Sequence, residues 1–152
     1  ILRDGDTSNI DLVFTCNDPM GYAITPDTDS QTITVLDTTY IVANAGDDDV
    51  YPVITITFNA TQTHVYIENT TVSGNRFDVS KAFEIADELE IDCKNKTVKL
   101  NGVASYAGVG DGGDSLAEWI LLAAGNNVIS VGSDDATIDV DVDISFNKVY
   151  LY

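Results

Sequence analysis

The stretch Thr137-Ile138-Asp139-Val140-Asp141-Val142-Asp143-Ile144 alternates acidic or polar with aliphatic residues without a break. Successive side chains of a strand point to opposite faces, whereas a helix would scatter these residues around its axis. The pattern therefore fits a strand with its aliphatics in a core and its acids in water. Such a strand needs hydrogen-bonded neighbours and a second layer over its apolar face. Further segments of the same character supply both: Ile10 to Cys16, Ile33 and Val35 in QTITVL, Tyr40 and Val42 in TTYIVAN, Val53 to Phe58, Thr63 to Ile67, Leu89 to Cys93, Thr97 to Leu100 and Val128 to Val131. Asp37 reads as a turn that joins the second and third of these in a hairpin, and Lys94-Asn95-Lys96 as the turn between Leu89–Cys93 and Thr97–Leu100. Short strands spaced by turn signals indicate an all-β chain, an antiparallel β-sandwich or barrel.

One segment breaks the pattern. Asp114-Ser115 is an N-cap candidate, Leu116, Trp119 and Ile120 follow at i, i+3 and i+4, and Gly125-Asn126 closes the run, so one short helix is expected there. Ser80 to Ala86 carries a weaker version of the same spacing. The loop Asn44-Ala45-Gly46-Asp47-Asp48-Asp49 has a charge run and no apolar periodicity. It divides the chain into residues 1–43, N-terminal strands or a linker, and residues 44–152, the main sandwich. The first residue is Ile1 and no signal-peptide pattern follows, which reads as a piece of something longer.

Charge narrows the partners. Twenty of the 25 acidic residues are Asp, only 7 residues are Lys or Arg, and the formal charge is −18, a sign shared by salt-adapted proteins. Such a field repels nucleic acid. No apolar run approaches the ~20 residues of a membrane helix, so no membrane insertion is expected. Cys16 and Cys93 lack a CxxC or a His neighbour and read as buried small hydrophobes or as one bridge.

The residues give little for catalysis. The sole histidine, His64, lies inside an alternating strand and reads as a packed strand residue. No GxSxG elbow, Walker loop or HExxH helix occurs. Carboxylate pairs suit glycoside hydrolysis, but with 25 acids some pair falls at any separation, and none sits in the apolar surround that a general acid needs. The acidic turns, Asp47 to Asp49, Asp111 with Asp114, and Asp134 with Asp135, can supply oxygens to a structural Ca²⁺, with solvated turns as the simpler reading and no cofactor otherwise implied. Tyr22, Tyr51 and Tyr106 fall in or near loops, where aromatic faces beside polar groups suit saccharide binding; Trp119, among aliphatics, belongs to the core. The sequons at Asn59, Asn69 and Asn95 are expected by chance in so Asn- and Thr-rich a chain.

Taken in order, several segments resemble the C-terminal half of the distal tail (Dit-type) proteins of long-tailed phages. They are Asp11 to Pro19, Asn44-Ala45-Gly46 with Pro52 to Ile56, Ile67 to Thr71 through Phe77, Leu89 to Asp92, Val98 to Gly102, Trp119 to Ile129, and Val149 to Tyr152. The glycine that this family carries near Ala86-Asp87 is absent. The resemblance implies a jelly-roll, galectin-like or carbohydrate-module-like sandwich that decorates a ring-forming N-terminal domain at the tail tip of the virion, assembled in the host cytoplasm. It also implies a structural, non-enzymatic role, with the tail tube and the tail-associated hub protein as partners and host cell-wall saccharide as a contact of some relatives. A stand-alone carbohydrate-binding module is the alternative reading, and a glycoside hydrolase a more remote one.

Overall fold

The computed structural model describes residues 20–73, 75–110 and 117–151. Twelve strands run through them: β1 (Met20–Tyr22), β2 (Asp27–Ile33), β3 (Thr38–Asn44), β4 (Val53–Phe58), β5 (Gln62–Asn69), β6 (Asn75–Phe83), β7 (Glu88–Asp92), β8 (Thr97–Leu100), β9 (Val103–Ala104), β10 (Gly125–Gly132), β11 (Val140–Phe146) and β12 (Val149–Leu151). They form a four-stranded sheet in the order β3-β10-β5-β6, a six-stranded sheet in the order β2-β11-β4-β7-β8-β9, and a two-stranded ribbon of β1 with β12. All pairings are antiparallel. The architecture is the all-β antiparallel sandwich expected from the alternation.

The core lies between the two large sheets. Val140, Val142 and Ile144 of β11 are fully buried, as their alternation with Asp141 and Asp143 requires. They meet Ile54, Ile56 and Phe58 of β4 in register. The opposite layer brings Val65 and Ile67 of β5, Phe77 and Val79 of β6, and Ile129 and Val131 of β10. Phe58 and Phe83 stack at 4.1 Å, and Phe77 meets Trp119 at 5.0 Å. Ile33 of β2 and Val42 of β3 join this same core. Cys93 is a buried free thiol, which burial pushes up to about 12; Cys16 lies outside the described residues, as does the strand expected over Ile10–Cys16.

Three expectations are corrected. The hairpin across Asp37 does not form: β2 pairs β11 and β3 pairs β10, in different sheets. Asp37 does take a turn conformation, with φ of 57°, but the link 34–37 crosses from one layer to the other and leaves Val35 exposed. The second helical spacing, Ser80 to Ala86, is strand through Phe83, with β6 pairing β5. The short helix is not borne out either. Asp114 to Leu116 lie outside the described residues, and residues 117–124 run as an extended strap.

The strap is extended because its peptide groups are satisfied by side chains. Four asparagines, Asn44, Asn69, Asn75 and Asn127, continue the inward face of the four-stranded sheet at one end, each at most 5% exposed. A side-chain amide offers one donor group and one acceptor, like a peptide. Asn75 donates to Trp119 O (2.9 Å) and accepts from Leu121 N (2.7 Å). Asn69 donates to Leu121 O (2.6 Å) and to Asn127 Oδ1 (2.8 Å). Asn127 accepts from Ala123 N (2.9 Å) and donates to Ala123 O (2.8 Å). Asn44 donates to Leu122 O at 3.3 Å, and Leu122 exchanges both backbone bonds with Val50. Ile120 and Leu122 thereby enter the core end.

Candidate functional site

The loops meet at that end of the sandwich. Antiparallel register places Val53 opposite both Asp92 and Ser145, so the start of β4 and the ends of β7 and β11 share one row. The loop 44–51 folds over this row. Gly46 allows the approach, since a Cβ there would lie 2.6 Å from Val149 O, and Asp47 N donates to the same carbonyl at 2.8 Å.

These elements enclose an open cleft of about 600 Å³. Met20, Pro26, Phe146 and Val149 give it apolar walls; Asp48, Asp49, Asp92, Lys94, Asn95, Ser145 and Asn147 give it polar ones. Tyr22 and Tyr51 line it and are about half exposed, at 54% and 49%. Its carboxylates are held in place. Asp48 accepts from Asp49 N (2.9 Å) and Asp49 from Ala124 N (3.0 Å), which ties the loop to the strap. For Asp92, burial acts to raise the pKa but is outweighed by the backbone and side-chain N–H groups of Asn95 (2.9 and 2.7 Å), which hold the carboxyl below its ordinary range.

Of the three tyrosines singled out in the sequence, the structure brings Tyr22 and Tyr51 together. Tyr106 lies apart and donates its hydroxyl to Lys96 O (3.3 Å). Lys96, Tyr51 and Trp119 line a second, shallower depression of about 370 Å³, so Tyr51 borders both hollows. Sequence reasoning missed Asp92, Lys94, Asn95, Ser145 and Asn147 as cleft residues. Their signal was their position: each lies at a strand end or turn that register carries to the same end of one sheet.

Of the acidic turns singled out in the sequence, the one at Asp134 and Asp135 is tied to β5 through Asp135. Asp135 accepts from Thr63 N (2.6 Å), Thr63 Oγ1 (2.5 Å) and Ser133 Oγ (3.3 Å); these bonds hold it below its ordinary range against the opposing effect of burial. The side chain of Asp134 is 79% exposed. Asp111 and Asp114 lie outside the described residues. Among the described residues no group of three or more His, Cys, Asp or Glu is placed to hold a metal ion.

His64 is buried as a packed strand residue. Its Nδ1 accepts from Asp134 N (3.0 Å), which leaves Nε2 to donate to the buried Asp78 (3.2 Å). Arg76 clamps Asp78 through two further bonds (2.8 and 2.9 Å) and lies over the Tyr66 ring at 3.7 Å. Tyr66 in turn donates to Asp37 and covers Gly132, where a Cβ would come within 2.6 Å of its ring. This network ties the outer face of the four-stranded sheet to the turn at Asp37.

An antiparallel sandwich with an aromatic, acid-lined cleft among its terminal loops is the class of molecule defined so far. The family profile described as siphovirus-type tail component, C-terminal domain, matches residues 45–150, and the chain belongs to that family. It is thus a component of a phage tail. Among solved structures, it is similar to that of SPP1 Dit (gp 19.1), described as a paradigm of the hub adsorption apparatus in Gram-positive infecting phages. The TM-score is 0.64 at 18% identity, over 90% of this chain and 51% of the other. The chain thus spans about half the length of that protein, and the likeness bears on the fold. No curated protein matches the sequence.

Proposed function

We propose that this chain serves as a structural, non-enzymatic domain at the distal end of the tail, decorating the hub and held there by neighbouring tail proteins, the tail tube and the tail-associated hub protein. The family match over residues 45–150 is the observation that carries this reading. Particles bearing it would assemble in the host cytoplasm. In the same reading residues 1–43 link the sandwich to a ring-forming part and also lend it strands, since β2 and β3 pair within the two sheets. Mass spectrometry of purified particles tests the role: the chain is expected among the tail proteins, and its absence from intact particles would refute it.

The finer part of the proposal is that the cleft touches host-surface saccharide, in the manner of galectin-like and carbohydrate-module sandwiches. Two exposed tyrosine rings beside amide, hydroxyl and carboxylate groups favour it, because a sugar presents C–H faces to rings and hydroxyls to polar groups. Glycan-array binding by the full chain, lost on Tyr51→Ala, is the expected result. No binding to any glycan would reject this part alone.

A further inference from the structure

The cleft's charge selects among saccharides, an inference that rests on its reading as a saccharide site. The charged side chains in its walls are Asp48, Asp49 and Asp92 against Lys94, a formal sum of −2 from three acids and one base. Each of the three acids accepts at least one hydrogen bond that orients its carboxylate, Asp49 at an exposed position. Asp48 and Asp49 are fixed by backbone N–H groups of the loop and the strap, and Asp92 by the two N–H groups of Asn95. Carboxylates oriented in this way meet an incoming anion with like charge, and Asn95 has already committed an amide donor to Asp92. The approach path carries the same sign, since the whole chain is at −18. The cleft is small enough that its charges lie within about one Debye length, ~8 Å at physiological salt, of any group inside it.

We propose that the cleft takes saccharides without anionic groups, amino sugars ahead of neutral ones, and turns away phosphodiester-bearing polymers. The tyrosine rings and the Ser145 and Asn147 side chains supply contacts common to all sugars; the carboxylates set the order among them. An ammonium gains from the same field that a phosphate must work against.

Calorimetric titration of the full chain at physiological salt tests this with three probes: an oligomer of glucosamine with free amines, the corresponding N-acetylglucosamine oligomer, and poly(glycerol phosphate). The amine probe, under mildly acidic conditions where it is charged, is expected to bind about tenfold or more tighter than the phosphate polymer, with the neutral probe between them. The pair Asp48→Asn and Asp49→Asn removes two of the negative charges and is expected to narrow the gap between the amine probe and the phosphate polymer; an unchanged gap would count against these carboxylates as its source. Phosphate polymer binding as tightly as the neutral oligomer, and sensitive to Tyr51→Ala, overturns the inference while the saccharide reading stands. Silence from all three probes overturns the inference, and the glycan array then decides separately whether the saccharide reading stands.

Discussion

Ala86 occupies the left-handed region, with φ of 68°, in the exposed turn between β6 and β7, where its N–H donates to Phe58 O at 2.8 Å. A Cβ there costs roughly 1–2 kcal/mol that glycine avoids, and the looser unfolded chain of a glycine variant returns about 0.4–1 kcal/mol of the gain. Ala86→Gly is therefore expected to stabilise the protein by about 0.5–1 kcal/mol, measured by urea unfolding; a loss of stability would contradict the turn geometry. The glycine that the resemblance leads one to expect near Ala86-Asp87 would fall at this strained backbone position. Other residues were legible for a simpler reason. Val140, Val142 and Ile144 announce their burial by alternation alone, and the packed reading of His64 follows from its place within a strand. The clustering of Tyr22 with Tyr51 was not legible, because it depends on β1 lying beside β12 and on the loop 44–51 closing over them, contacts far apart in the chain.

At the level of elements, the strap 117–124 shows why a good local pattern can mislead. Leu116, Trp119 and Ile120 have helical spacing, yet Ile120 and Leu122 are both fully buried, which suits an extended backbone. The deciding residues, Asn44, Asn69, Asn75 and Asn127, lie on four different strands, and no window of sequence contains them together. Asn69→Ala removes the donor to Leu121 O and Asn127 Oδ1 and the acceptor for Thr71 N. Leaving buried polar groups unpaired costs about 1–3 kcal/mol each, so a loss of about 3 kcal/mol is expected in urea unfolding, with the far-ultraviolet spectrum still that of a β protein. A change below about 0.5 kcal/mol would mean that the amide row does not hold the strap. The pairing of strands shows the same limit. β7 with β8 was legible from its turn, whereas the link at Asp37 crosses between layers, since Leu36 packs on the core and no two-residue turn sequence specifies a hairpin there.

For the whole molecule, acidity sets the conditions of stability. Asp87 and Asp141 are held below the ordinary carboxylate range by side-chain N–H and O–H donors, from Asn101 to the first and from Thr32 and Asn59 to the second. In Asp92 and Asp135, burial opposes the same trend and is outweighed. A carboxyl depressed in the folded state stabilises above its unfolded value, about 3.9, and that contribution fades as pH falls through the folded value. Stability is thus expected to hold from neutrality to about pH 5 and to decline below about pH 4, followed by thermal melts across pH. A loss beginning near neutrality would show that another group governs acid unfolding. The charge of −18 adds a second dependence, since its self-repulsion is screened by salt. Fold class was the most legible property at this scale, because alternation repeats along the whole chain; the cleft was the least, because it is assembled from ends of strands.

The central claim is that this sandwich belongs at the distal tip of a phage tail. Electron microscopy of purified particles labelled with gold-tagged antibody against the chain tests it most directly. The account predicts gold at the tail end remote from the head; label on the head or along the tail shaft, or none on intact particles, would contradict it.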